Sequence, residues 1–250
     1  MDRDIKIIED LSLNAWPSHQ MQLYDGWLLR FSYFYTHRTN CVEQIGASTL
    51  PLKEKLDYCE HIYKRWQTPC IFKVSPVVNP DLDHILQERG YHIEHSTDVM
   101  TMDLENHPFT DSPLPIRIEN YISYQWIEGL FALKNTTSPM HRKIVPSMYA
   151  AIPKDVIAVS MVEEEKVIAT GLGILDRDYI GLYAIHVAKE YRHRHYATAI
   201  CSTILTQGRR RGATRAYLQV VSDNLPAQDL YASLGFKKFY TDWFRVKEDI

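Results

Sequence analysis

The alternation of apolar and polar positions predicts a chain in which strands and helices follow one another closely. Apolar residues recur at helical spacing in seven segments, so we expect helices over 5–16, 51–66, 80–89, 121–134, 139–151, 194–210 and 226–234. Shorter apolar or alternating runs predict strands over 27–34, 38–45, 70–74, 92–104, 116–119, 155–163, 167–175, 179–187, 216–221 and 237–246. This succession predicts an α/β fold with a mixed sheet.

A polar, proline-bearing stretch from Glu105 to Pro115 divides the chain into halves of similar size. It has no hydrophobic periodicity, which is typical of a linker. We therefore expect an N-terminal domain over 1–108 and a C-terminal domain over 113–250.

The two halves repeat one local pattern, in which an Asn precedes a short helix and a Gly–aromatic pair follows it. The matching segments run from Asn79 to Gly90-Tyr91 and from Asn224 to Gly235-Phe236. Two interpretations stay open: a duplicated domain, or two unrelated strand–helix–strand units. Leu86 stands where the second half has Tyr231. Any chemistry of that tyrosine therefore belongs to the second half.

Composition excludes several classes of protein. The 250 residues include 28 Lys and Arg against 31 Asp and Glu, a formal net charge of −3. A nucleic-acid-binding protein usually carries a basic excess. We also expect no association with a membrane, because the sequence has no apolar run long enough to span one. Four cysteines without a CxxC pair favour a reducing cytoplasm over a disulfide framework.

The segment after the predicted strand 179–187 carries the most chemical information. Lys189, Arg192 and Arg194 lie where a helix is expected to begin. Helix N-termini expose unpaired N–H groups and carry partial positive charge, so this arrangement suits a pyrophosphate. A solvated basic turn is the alternative. His193 and His195 form an HxH pair, but zinc would need further ligands that the sequence does not place, so we expect no metal.

Two motifs in the second half resemble the signatures of the GCN5-related N-acetyltransferase (GNAT) family. Arg192-His-Arg-His-Tyr-Ala197 is similar to its acyl-CoA-binding signature: Gln or Arg, two residues, Gly, one residue, then Gly or Ala. The segment from Asn224 to Phe236, with Tyr231 before a Gly-Phe pair, resembles the second signature. The resemblance covers 116–246, and the first half resembles a degenerate copy. His195 stands where the family usually has glycine.

The resemblance implies that the chain consists of two GNAT-like halves in tandem. It also implies an enzymatic function. The chain would transfer acetyl from acetyl-CoA, its co-substrate, to the amine of a small molecule or peptide by direct attack. A non-catalytic acyl-CoA sensor or scaffold on the same fold is the alternative. Tyr231 would protonate the departing thiolate, and Tyr183 would line the acceptor site. The cofactor-binding residues implied are Ile185, His186, Val187, Arg192, His193, Arg194, His195, Tyr196, Ala197, Thr198 and Asn224.

The sequence assigns no general base. Alternation along the strand predicts that Gly181, Tyr183, Ile185 and Val187 share one face and that His186 lies on the other. Because residue 181 is glycine, that position on the face carries no carboxylate. At the basic turn, we expect main-chain N–H groups to remain available beside His195 if the backbone there is ordinary helix.

Overall fold

The computed structural model describes residues 2–105 and 112–248, which form one mixed sheet with helices on both faces. The helices are α1 (Asp2–Ala15), α2 (Leu52–Arg65), α3 (Leu82–Glu88), α4 (Tyr124–Leu133), α5 (Pro139–Ala150), α6 (Tyr196–Arg210) and α7 (Leu225–Ser233). The strands are β1 (Gln20–Tyr24), β2 (Trp27–Phe31), β3 (Val42–Gln44), β4 (Cys70–Val74), β5 (His92–Asp103), β6 (Arg117–Glu119), β7 (Asp155–Glu163), β8 (Lys166–Asp176), β9 (Tyr179–Val187), β10 (Arg215–Val221) and β11 (Lys237–Lys247). The predicted α/β class with a mixed sheet is confirmed.

The sheet exchanges the last strands of the two halves. Its order is β1-β2-β3-β4-β11-β5-β10-β9-β8-β7-β6. Strand β11 lies between β4 and β5, and β5 lies between β11 and β10, with antiparallel pairing at β11–β4, β11–β5 and β10–β5. Each half therefore completes its part of the sheet with a strand of the other. The division into 1–108 and 113–250 stays a prediction.

Hydrophobic clusters flank the sheet. In the second half, α6 and α7 cover one face, where Ile200, Cys201 and Ile204 are wholly buried. Helices α1, α4 and α5 cover the opposite face with a cluster that includes Trp126 and Phe131. In the first half, α2 and α3 pack on the part of the sheet formed by β2, β3 and β4, around Leu29, Tyr63 and Leu86. The second half thus holds its strands between two helical layers.

Two sequence predictions in the first half need correction. Strand β1 was not expected; it is an edge strand in which Met21 and Leu23 are 63% and 70% exposed, so no buried face marks it in the sequence. The strand expected over 38–45 is shorter, because a 3-10 helix (His37–Thr39) precedes β3.

The linker prediction falls mostly on 106–111, which lie outside the described residues. No helix in the described part of the chain is both long and apolar enough to cross a membrane.

Candidate active site

Strands β9 and β10 part in the middle of the sheet. Their parallel pairing runs from Tyr179 opposite Arg215 to Leu182 opposite Leu218, although both strands continue beyond it. The register of β8 against β9 shifts at the same level, and Ala184 has φ +50. This β-bulge leaves the later residues of β9 with unpaired main-chain groups on the side of β10. We call the space between the strands beyond this level the β9–β10 gap.

The bulge also corrects the predicted faces of β9. Ile185 and Val187 pack against the cluster under α6, whereas Tyr183 belongs to the cluster under α1 and α4. The prediction that Tyr183 shares a face with Ile185 is therefore wrong, because the bulge shifts the alternation by one residue. His186 lies on the face opposite to Ile185, as the alternation predicted.

Helix α6 begins at the basic turn without a side-chain cap. Its N-cap residue is His195, which has φ 59 and makes no side-chain capping bond. The first intrahelical bond at this end runs from the Ala199 N–H to the His195 carbonyl, at 3.0 Å. The N–H groups of Tyr196, Ala197 and Thr198 therefore have no partner within the helix. The backbone at His195 is left-handed and not ordinary helix, so the condition stated for the turn is not met, but the main-chain N–H groups that follow His195 are present.

Arginines border this helix end. The Arg192 guanidinium donates from Nε to the Val187 carbonyl at 3.4 Å, which holds it beside the end of β9. The Arg194 guanidinium lies 5.4 Å from the centre of the Tyr191 ring. Both side chains are exposed. The turn therefore combines unpaired main-chain N–H groups with two cations, a combination that suits an anion.

A cavity of about 680 Å³ extends from this turn into the β9–β10 gap. Its lining contains no Asp or Glu. The sequence-predicted residues among its lining are Ile185, His186, Val187, Arg192, His193, His195, Tyr196, Ala197, Thr198, Asn224 and Tyr231. The structure thus brings together residues from both motifs, while Arg194 and Tyr183 are outside the lining. Sequence reasoning did not assign Tyr191, Pro226, Ala227 and Leu230, which complete it, although Ala227 and Leu230 stand inside the second motif.

Tyr231 enters the cavity from α7, where its side chain is 9% exposed. Asn224 is the N-cap of this helix, and its side chain accepts from the Ala227 N–H at 3.4 Å. Burial raises the pKa of Tyr231 well above its ordinary value, with a smaller contribution from Cys201. The hydroxyl therefore stays protonated at neutral pH and can donate a hydrogen bond.

Tyr183 lies behind the cavity, buried within the core. Its hydroxyl is hydrogen-bonded to that of Tyr217, and burial raises its pKa above the ordinary range. A Cβ at Gly181 would lie 2.7 Å from the Tyr183 ring and 2.8 Å from the Tyr217 ring. The two tyrosines therefore occupy the space that a carboxylate at 181 would need. The acceptor-site role of Tyr183 stays a prediction.

His186 lies two residues beyond the bulge at Ala184. Burial, with smaller contributions from the charges of Lys134 and Arg192, lowers its pKa to about 4. The imidazole is therefore neutral at physiological pH and can accept a hydrogen bond. This electrostatic setting comes from α4 and the basic turn, and nothing in the local sequence of β9 indicates it.

Comparison with known proteins agrees with this geometry. Residues 3–242 match the family model described as "Probable histone acetyltransferase Rv0428c C-terminal". The chain is 26% identical over 247 residues to YobR of Bacillus subtilis (strain 168), described as an uncharacterized N-acetyltransferase, with 98% of this chain and 99% of that protein covered.

Solved structures share the fold. A GCN5-related N-acetyltransferase from Kribbella flavida superposes with a TM-score of 0.74 at 14% identity, covering 98% of this chain and 96% of that one. A tandem GNAT protein from the clavulanic acid biosynthesis pathway superposes with a TM-score of 0.66 at 11% identity, over 96% and 87% of the chains. The chain therefore belongs to the family of the Rv0428c C-terminal region and is a GCN5-related N-acetyltransferase.

Proposed function

We propose that this N-acetyltransferase takes its acetyl group from acetyl-CoA and passes it to a primary amine of a small molecule or peptide by direct attack. One observation carries the proposal: a single cavity joins the uncapped start of α6, the free edge of β9 and the hydroxyl-bearing Tyr231. These three features match the diphosphate, the amide-bearing arm and the thioester sulfur of an acyl-CoA, in that order.

The diphosphate would bind at the basic turn. The N–H groups of Tyr196, Ala197 and Thr198 have no partner within α6, and the helix dipole adds positive potential there. Arg192 and Arg194 supply exposed cations on the same side. The left-handed backbone at His195 lets the chain turn sharply into the helix, and the His195 side chain makes no capping hydrogen bond to the amides that follow it.

The pantetheine arm would follow β9 into the gap. Residues 185–187 continue β9 after its pairing with β10 has ended, so their outward main-chain groups can pair with the amides of the arm as a further strand would. A volume of about 680 Å³ is in the range of a small-molecule site. The arm would thereby carry the thioester toward Tyr231.

The reaction forms a C–N bond and breaks a C–S bond. The amine must be neutral when it attacks, and it loses a proton as the amide forms. Main-chain N–H groups at the end of β9 would stabilise the oxyanion of the tetrahedral intermediate. Tyr231, whose hydroxyl burial keeps protonated, would donate that proton to the departing thiolate and would be reprotonated through solvent by the proton that the amine releases. No residue is assigned as the base.

Direct attack also fits the state of the cysteines. Cys41, Cys59, Cys70 and Cys201 are buried and free. Cys201 lies nearest to the site, and burial raises its pKa to about 12, so the thiol is not poised as a nucleophile. These thiols are unsuited to a covalent acetyl-enzyme step.

Calorimetric titration of acetyl-CoA into wild-type protein and a Thr198→Glu variant tests the proposal. A carboxylate in the first turn of α6 is compatible with the helix but repels phosphates, so we expect affinity to fall at least tenfold, or about 1.4 kcal/mol. Thr137→Glu places the same charge before α5, away from the cavity lining, and serves as the matched control. Equal affinities in all three proteins, or no saturable binding by wild type, would exclude this site for acetyl-CoA.

A further inference from the structure

Three histidines and one glutamate meet at the start of β5, outside the cavity described above. The His37 Nε2 atom lies 3.0 Å from Glu94 Oε2, and His92 Nε2 lies 2.8 Å from Glu94 Oε1. His95 Nε2 lies 3.9 Å from Glu94 Oε2. We call His37, His92, Glu94 and His95 the histidine cluster. None of them lines the acetyl-CoA cavity.

A bulge in β5 turns His95 toward the side of Glu94. Successive residues of a strand normally face opposite sides of the sheet. Here β5 pairs Glu94 with Phe244 and resumes its pairing with β11 at Thr97, which leaves the intervening residues out of register. His95 has φ 50, a left-handed conformation that is unfavourable for a non-glycine residue. The irregular backbone places its imidazole beside the carboxylate instead of across the sheet from it.

His37 is held on a rigid support. It begins the 3-10 helix, and the buried Asn40 fixes the loop around that helix. The Asn40 Oδ1 atom accepts from the Ser32 and Phe34 N–H groups at 2.6 and 3.1 Å, and its Nδ2 donates to the Thr36 carbonyl at 2.6 Å. The His37 ring is therefore positioned before any ligand arrives.

The ring of His37 also packs directly against the rest of the cluster. Its centre lies 4.7 Å from that of His95, with the two planes nearly perpendicular, and 5.4 Å from that of Phe244. The ligand atoms of His37, Glu94 and His95 all lie within 4.8 Å of one another. In a tetrahedral zinc site with bonds of 2.0–2.1 Å, neighbouring ligand atoms lie about 3.4 Å apart. The separations of 3.0 and 3.9 Å from Glu94 Oε2 fall on either side of that value.

We propose that His37, Glu94 and His95 bind a divalent ion of the zinc class, with water in the fourth position. Two imidazoles and a carboxylate suit zinc, whereas magnesium and calcium prefer oxygen ligands alone. His92 holds the other carboxylate oxygen and so orients Glu94 toward the ion. This proposal departs from the sequence expectation of no metal, which considered the His193 and His195 pair.

The ion would lie beside a contact between the first half and β10. Arg38, next to His37, donates from Nε to the Gln219 Oε1 atom of β10 at 3.0 Å. A metal bond between His37 and β5 would add a link between β5 and the 3-10 helix that carries Arg38, which the Asn40 contacts already hold in place. The role of the ion is therefore structural: it holds the helix of one half against β5 and β10.

Zinc chloride titrated into tag-free, chelator-treated full-length protein tests the site. We expect saturable binding of one ion per chain and a rise in the thermal midpoint on addition of zinc. His95→Ala and His37→Gln should each weaken binding by at least about tenfold and abolish the thermal shift. His84→Ala is the matched control, because His84 is an exposed histidine that also pairs with a glutamate, at 3.3 Å from Glu88.

Circular dichroism of the apo proteins checks that the variants retain the fold. Failure of wild type to bind zinc saturably would overturn the proposal. So would equal affinities of wild type and the two variants, or loss of binding in His193→Ala with retention in His95→Ala. The last result would assign the ion to the basic turn.

Discussion

Tyr231 is the residue to which the proposed chemistry assigns a proton. Removal of its hydroxyl in Tyr231→Phe leaves the buried ring in place. We expect kcat to fall about 10²-fold, because the thiolate then leaves without a proton donor, while affinity for acetyl-CoA stays nearly unchanged. Release of free thiol from acetyl-CoA with a panel of amines measures the rate, and calorimetry measures the affinity.

Tyr124→Phe provides the control for that experiment, since Tyr124 is 72% exposed on α4. Equal kcat values for Tyr231→Phe and wild type would remove the acid role from Tyr231. Thiol release by wild type also separates an enzyme from the sensor that the sequence left as an alternative.

His195 is a histidine in a backbone conformation that favours glycine. Its φ of 59 carries a steric cost that glycine does not. We expect His195→Gly to raise the free energy of unfolding by about 1 kcal/mol and to preserve acetyl-CoA binding. His84→Gly, inside α3, should lower it by about 1 kcal/mol. Chemical denaturation measures both, and a destabilised His195→Gly would show that the histidine ring contributes contacts that outweigh its backbone cost.

His186 makes the free energy of unfolding depend on pH, and its lowered pKa sets the direction of that dependence. Its pKa falls from 6.5 to about 4 on folding, so the unfolded chain binds the proton more readily. The stability linked to the neutral ring is therefore fully present above pH 6.5 and is lost as the pH falls through 4. Between these values, wild type should lose more unfolding free energy than His186→Gln. Parallel losses in the two proteins would contradict the assigned burial of the ring.

The packing of α6 on β8 sets the position of the helix that carries the proposed diphosphate site. A Cβ at Gly171 would lie 2.4 Å from Ile200 Cγ2. We expect Gly171→Ala to lower the unfolding free energy by about 1–3 kcal/mol and to weaken acetyl-CoA binding, since α6 must move away from the sheet.

Gly46→Ala is the matched control, because its Cβ would lie 3.8 Å from the nearest atom, an ordinary contact. Denaturation and calorimetry on both variants measure the effects. Unchanged affinity in a destabilised Gly171→Ala protein would show that the position of α6 does not limit binding.

Most helices and strands of the second half follow from periodicity, and β9 was predicted with its observed bounds, 179–187. The prediction of which β9 side chains share a face was wrong, because the Ala184 bulge breaks the alternation on which that prediction depends. The histidine cluster was missed for a different reason. His37 and Glu94 lie far apart in the sequence, and His95 faces Glu94 only through the bulge in β5. Local patterns carry no signal for either irregularity.

At the scale of the whole molecule, the exchange of β5 and β11 makes the halves depend on each other. The sequence predicts both strands but not their neighbours, because each follows a similar helix and Gly–aromatic pair. Their antiparallel contact joins the halves through main-chain hydrogen bonds. Residues of the two motifs meet at one cavity because both belong to the half that β5 completes.

A protease site introduced between Glu105 and Ser112 tests this interdependence. After cleavage, we expect the two fragments to remain associated in native buffer and to separate only in denaturant, since each lacks a strand that the other supplies. Size-exclusion chromatography before and after cleavage measures the association. Two separately eluting, folded fragments would show that each half forms its sheet alone.

The central claim is that the uncapped start of α6 and the β9–β10 gap together hold acetyl-CoA. A crystal structure of the full-length protein with coenzyme A tests it most directly. We expect diphosphate oxygens within hydrogen-bond distance of the Tyr196, Ala197 and Thr198 N–H groups, with the sulfur beside the Tyr231 hydroxyl. Coenzyme A bound elsewhere, with the His195 ring filling the turn, would contradict it.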